Sequence, residues 1–186
     1  HPRNPKKTIE LFEARLKAWR TDPADVGMIH YVDAEKDFHT VFNHEIIEIA
    51  QRLKAEGKIR HIGMSSHNPI VASMAVKTGL IDVLLFSINP CYDLLPPNED
   101  VDVLFDQQSY AGALHNIDPA REQLYALCER EGVAIDVMKV FGGGDLLDQE
   151  NSPFGCAFTP VQAIDYALTP LASAAVMFAV MTTDDI

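Results

Sequence analysis

A chain of 186 residues, 47% hydrophobic and 23% charged, is long enough to bury the core of one ordinary domain and too apolar to remain disordered. Its net charge of −12 argues against nucleic acid or an anionic membrane as the main partner, because both select basic surface. Three distant cysteines (Cys91, Cys128, Cys156) with no CxxC argue against a disulfide framework or a cysteine-held metal. The absence of any apolar run of membrane-spanning length, and of an apolar signal core in HPRNPKK, makes a cytoplasmic setting the expectation.

Residues 8–20 predict an amphipathic helix, with Ile9, Phe12, Leu16 and Trp19 at three- and four-residue spacing. Asp22-Pro23 breaks it, and 26–31 (VGMIHY) reads as a buried strand, with His30, Val32 and Asp33 near its end. Residues 42–56 predict a second helix, with Ile46, Ile47, Ala50 and Leu53 on one face and a Glu48/Arg52 pair on the other. The stretch 55–69, AEGKIRHIGMSSHNP, reads as helix end, turn, strand (59–64), polar loop and new helix. Gly57 suits the left-handed stop, and Asn68-Pro69 suits the start of a helix reaching Thr78.

Residues 81–88 (IDVLLFSI) are a continuous apolar run, as in a parallel strand buried on both faces. The connection 89–118 is long, carries Pro90, Pro96 and Pro97 with a helical turn or two at 98–105, and has the length of a lid or a disordered segment. Asp118-Pro119 opens a helix to Glu131, which Gly132 ends, and 133–139 is the next strand. Glycines 142–144 lead into a polar loop, and Thr159-Pro160-Val161-Gln162 is a capping box opening a helix to Leu168. Residues 174–180 read as a last strand and 182–185 as the start of one more helix.

Five strands alternating with helices, with no linker or low-complexity tract, make 1–186 a single α/β domain: a parallel sheet, either doubly wound or part of a (β/α)8 barrel. In both, ligands sit at the C-terminal strand ends. Those ends present His30 and Asp33; Ser65, Ser66, His67 and Asn68; Asn89 and Tyr92; Lys139 with Gly142, Gly143 and Gly144; and Thr182 with Thr183. Neutral hydrogen-bonding groups with an imidazole and an ammonium suit a polar organic cofactor and the orientation of a carbonyl. There is no poised carboxylate pair, GxGxxG, GxxxxGK[ST] or GxSxG. Each residue also has a plainer reading: the glycines as a flexible turn, His30 as a satisfied interior side chain, His67 as a helper of the helix cap at Asn68, Cys91 as a small buried hydrophobe. A metal set of His30, Asp33, His61 and His67 is a rival, against which His61 lies in mid-strand.

The segments DVGMIHYVD (25–33), LKAEGKIRHIGMSSHNP (53–69), GLIDVLLFSINPCYDLLPP (79–97), VMKVFGGGDLLD (137–148) and FGCAFTPVQAIDYAL (154–168) together resemble the aldo/keto reductase family. The resemblance is to its bacterial branch that often carries a ferredoxin-like C-terminal extension. It implies a partial (β/α)8 barrel, strands four to eight, lacking the N-terminal three. It further implies NAD(P)H-dependent reduction of an aldehyde or ketone, with His30 orienting the carbonyl oxygen. NADP(H) or NAD(H) is the implied cofactor, and an iron–sulfur cluster is implied only if such an extension exists. Ser65, Ser66 and Asn89 fall where the family holds the carboxamide, although Ser66 replaces an asparagine and Asn89 a glutamine. Met138 falls beside the nicotinamide ring, Lys139, Gly142 and Gly143 in the covering loop, and Thr182 at the phosphates. Ala179, Met181 and Val140 depart from the family pattern, the first two weakening the expectation of tight NADP(H) binding. The family's aspartate, tyrosine and lysine belong to the first three strands, so the chain alone is expected to be inactive. Tyr31, alternating away from His30, and Tyr92 are not expected to replace the tyrosine. A small carbonyl compound is the implied substrate, and open sheet edges are an expected route to self-association. The alternatives are a non-catalytic cofactor-binding or interaction module and a metal-dependent barrel hydrolase or lyase.

Overall fold

A computed structural model describes residues 4–21, 23–98, 107–110, 116–169 and 174–176. The Asn4 side chain accepts the Lys7 amide at 3.1 Å, and Pro5 follows at the first helical position, so α1 runs Pro5–Trp19. The strands are β1 (Ala24–Ile29), β2 (Ile59–Ser66), β3 (Val83–Ser87), β4 (Ala134–Met138) and β5 (Ala174–Val176). They lie side by side in chain order, every neighbouring pair parallel. A doubly wound sheet reverses its strand order at a switch point. This one does not reverse among the described strands, which is the winding of a barrel wall.

The register sorts the side chains. Met64, Leu84 and Ile135 are partners across the sheet, as are Ser66, Phe86 and Val137. All six face the helices, and Met64, Leu84, Phe86 and Val137 are fully buried. The helix α4 (Pro69–Lys77) meets them with Val71, Ala72 and Ala75, and α6 (Pro119–Glu131) with Leu124 and Leu127. Each such apolar side chain contributes about 1.5–3 kcal/mol on burial. The opposite, inner face carries Ser65, Leu85 and Asp136 in one row and Ser87 with Met138 in the next.

Several elements differ from the sequence expectation. The helix expected over 42–56 is α3 (Glu45–Ala55), and a further helix not expected from the sequence, α2 (Glu35–Phe42), precedes it, the two separated at Asn43 and His44. Both start without a side-chain cap, Ala34 and His44 standing at those positions, so the usual start signal is missing from the sequence. Arg52 lies 3.9 Å from Glu56, one turn further along, rather than pairing with Glu48. The first strand stops at Ile29, two residues earlier than expected, which leaves His30 and Tyr31 in the loop. Trp19, expected on the packed face of α1, is 68% exposed, because the outer edge of β1 beside it carries no strand among the described residues.

The long connection after β3 begins with a short helix, α5 (Pro90–Asp93), capped by the Asn89 side chain. The Asp118 amide donates to the Asp93 carbonyl at 2.7 Å, which ties the two ends of that connection together. A 3-10 turn covers Gln107–Tyr110, while the turns expected at 98–105 lie outside the described residues except for Asn98. The capping box forms as expected and opens α7 (Pro160–Leu168). Of the last expected strand only Ala174–Val176 falls within the described residues, and 182–185 lie outside them.

Candidate active site

At the ends of β1 and β2 a buried carboxylate organises the chain. Asp33 is 2% exposed, and its Oδ1 accepts the His67 backbone amide at 2.7 Å and the Ser66 hydroxyl at 3.0 Å. Its Oδ2 lies 2.8 Å from His67 Nδ1. Burial by itself would raise the Asp33 carboxyl, but the bonds from His67 and Ser66 outweigh it and hold the group below its ordinary value. An ionised carboxylate offers no proton, so His67 Nδ1 must be the donor. Asn68 completes the knot: its Nδ2 donates to the Asp33 carbonyl at 3.0 Å, and its Oδ1 accepts the Ile70 amide, capping α4. The cap therefore belongs to Asn68 alone. His67, read from the sequence as a helper of that cap, is turned to Asp33.

Four rings follow one another across these ends. His30 and Tyr31 have centroids 6.3 Å apart, Tyr31 and His67 5.7 Å, His67 and Tyr92 6.0 Å. Tyr31 stands at φ +62° and donates its backbone amide to Ser65 Oγ at 2.7 Å. A non-glycine residue in that region costs about 1–3 kcal/mol. The expected alternation of Tyr31 away from His30 does not hold, because the strand has already ended and the left-handed turn brings the rings together.

A second knot lies beneath, at the ends of β2 and β3. Arg121 from α6 is 2% exposed; its Nη1 donates to the Ser87 carbonyl at 2.8 Å and to Asp93 Oδ1 at 3.1 Å, and its Nη2 to the His67 carbonyl at 3.2 Å. The guanidinium lies 4.8 Å from the Phe86 ring centroid and 5.6 Å from that of Tyr92. Asp93, fully buried, also accepts the Tyr125 hydroxyl at 2.7 Å and the Tyr166 hydroxyl at 3.1 Å. Burial pushes its carboxyl up while Arg121 and the two hydroxyls pull it back, and burial leaves all three tyrosines, Tyr92, Tyr125 and Tyr166, harder to ionise.

His30 is exposed just past β1, and Ser65 is buried at the end of β2 on the inner face. The Ser65 hydroxyl accepts from Tyr31 and keeps its own proton to give. Ser66 faces the helices and is spent on Asp33 and Asn68. Asn89 is spent too: its Nδ2 donates to the Lys139 carbonyl at 2.6 Å, and its Oδ1 accepts the Tyr92 amide at 3.0 Å. Met138 is half-buried at the end of β4, and Lys139 is exposed at φ +64°. Gly142, Gly143 and Gly144 all have positive φ, at a kink that opens the segment Gly142–Leu147. Thr182 lies outside the described residues.

A hydroxyl free to donate, an exposed ammonium and glycine backbone without Cβ atoms fit the carboxamide and phosphates of a nicotinamide nucleotide. Among the described residues no three His, Cys, Asp or Glu side chains stand close enough to hold a metal ion. Nor is any described helix long and apolar enough to cross a membrane. Arg121, Asp93, Tyr125 and Tyr166 were not singled out by the sequence, where each reads as an ordinary residue of a helix or loop.

The family model described as "Aldo/keto reductase family" matches residues 3–162. The chain belongs to the aldo/keto reductase family. Among solved structures it resembles a protein of Pseudomonas aeruginosa described as an aldo-keto reductase, with a TM-score of 0.61 and 17% identity over 96% of this chain and 54% of that one. An aldo-keto reductase from Bacillus halodurans, described as a holo form, gives a TM-score of 0.59 and 20% identity over 97% of this chain and 59% of that one. A glycerol dehydrogenase from Gluconobacter oxydans gives a TM-score of 0.52 and 16% identity over 87% of this chain and 39% of that one. The chain thus spans between half and three-fifths of the length of the first two, and at these identities the likeness is one of fold. None of the curated proteins compared matches the chain significantly.

Proposed function

We propose that this chain forms one side of the pocket of an NAD(P)H-dependent carbonyl reductase and that by itself it does not turn over. One alignment supports the reading: the parallel register sets the ends of β1 to β4 next to one another, and those ends carry His30, Ser65, Asn89 and Met138. A bound reduced nicotinamide would supply hydride to the carbonyl carbon. His30 orients the carbonyl oxygen, and Ser65 donates to the carboxamide. Ser66 and Asn89 hold the loops that frame that contact, and Met138 offers an apolar wall to the ring. Lys139 with Gly142 and Gly143 covers the phosphates, joined by Thr182. The tyrosine, lysine and aspartate on which proton transfer depends in the family have no counterpart in the matched segments, so orientation occurs without an activated proton donor.

Two measurements on the purified chain test this: NADPH fluorescence on titration, and NADPH oxidation in the presence of short aldehydes. Saturable binding without oxidation is expected. Failure to bind either NADPH or NADH removes the reductase reading, and steady oxidation removes the claim that the chain is inactive alone.

A further inference from the structure

Almost every part of His67 is already held. Its amide and Nδ1 are on Asp33, its carbonyl accepts from Arg121, one ring face is stacked on Tyr92 and an edge meets Tyr31. Ten per cent of the side chain remains exposed, and the one polar atom without a hydrogen bond is Nε2. Fixing a ring from five sides while leaving one nitrogen unused is how a binding group is preorganised.

The identity of that nitrogen follows from its neighbour. Asp33, accepting three hydrogen bonds while buried, stays a carboxylate, so Nδ1 carries a proton, and in the neutral ring Nε2 presents a lone pair. An acceptor does not serve a carbonyl oxygen; it serves a hydroxyl.

We propose that His67 is a specificity-determining residue whose Nε2 accepts a hydrogen bond from a hydroxyl group of the substrate, so that the substrate class is a carbonyl compound bearing a neighbouring hydroxyl. The row His30, Tyr31, His67 sets the two imidazoles at the ends of adjacent strands, one for the carbonyl and one for the hydroxyl. This rests on the reductase reading.

Hydroxyacetone and butanone, which differ by a hydroxyl in place of a methyl, test it as equilibrium binding in the presence of NADP+. Hydroxyacetone is expected to bind about tenfold more tightly, the scale of one hydrogen bond. In His67→Phe, which keeps a ring on Tyr92, the ratio is expected to fall to about one. In parallel, imidazole 15N spectra of the unsubstituted chain should show the Nδ1–H tautomer, with Nε2 moved by hydroxyacetone and not by butanone. Equal binding of the two ketones, a preference that survives His67→Phe, or an Nε2 resonance unmoved by hydroxyacetone overturns the proposal while leaving the reductase reading standing. Failure of both NADP+ and NAD+ to bind overturns both.

Discussion

Asp33 Oδ2 stands 2.8 Å from His67 Nδ1, so one buried carboxylate binds the loop after β1 to the end of β2 across 34 residues of chain. The pair has a consequence for acid stability. Asp33 titrates below its ordinary 3.8 in the folded chain, because its bonds from His67 and Ser66 outweigh the cost of burial. A carboxyl depressed on folding contributes stability that is complete above the unfolded value and is lost as pH falls through the folded one. Urea midpoints should therefore drop as pH falls below about 4, and Asp33→Asn should flatten that limb while costing about 1–3 kcal/mol at neutral pH. An unchanged acid limb in the variant would show that the pair is not the titrating element.

Arg121 is the only described cation fully enclosed, and it ties together the carbonyls of His67 and Ser87 and the carboxylate of Asp93. Arg121→Met leaves Asp93 buried without its counter-charge, for an expected loss of about 3–5 kcal/mol in urea unfolding. Arg121→Lys should recover little of it, because one ammonium lacks the planar fork that reaches three acceptors. Full recovery by lysine would mean that charge alone matters here.

Gly142 and Gly143 separate backbone conformation from packing. Both have positive φ, +61° and +78°, but a Cβ on Gly142 would meet Leu146 Cγ at 3.2 Å, while one on Gly143 meets nothing within 4 Å. Gly143→Ala should cost about 1–2 kcal/mol from the left-handed backbone alone. Gly142→Ala should cost more, because Leu146 must also give way. Equal losses in thermal unfolding would rule out the packing contribution.

The outer edge of β1 should associate. A groove of about 280 Å³ beside it is lined by Phe12, Leu16, Trp19, Ile29 and Ile46 among others, and no strand covers it among the described residues. Sedimentation should show mass rising with concentration. Val26→Lys, at a position 36% exposed on that edge, should suppress the rise while shifting the unfolding free energy by less than about 0.5 kcal/mol. A monomer at all concentrations would show that the edge is protected in some other way.

Much of the wall could be read from the chain alone because its signals are local. Asn4, Asn68, Asn89, Asp118 and Thr159 cap the five described helices that begin with a following proline, and each reaches an amide two or three residues on. The apolar run at 81–88 became β3, enclosed on its helix side. Where the local signal is absent, at Ala34 and His44, the residues alone do not mark where α2 and α3 begin. Alternation does not govern Tyr31, because it applies only while a strand continues, and the turn that ends β1 depends on a contact with Ser65, 34 residues away.

The sequence by itself determined the βα rhythm, the helix starts and the family, since caps, glycine stops and apolar periods act within a turn or two of chain. Only the tertiary structure decided that Ser66 and Asn89 are spent on the framework, that His67 is held by Asp33, and that Arg121 is buried. Those outcomes depend on partners 28 to 54 residues apart meeting where water is excluded. There an unpaired polar group is too costly to leave, so the pairing is set by the packing of the whole wall and leaves no periodic trace in the chain.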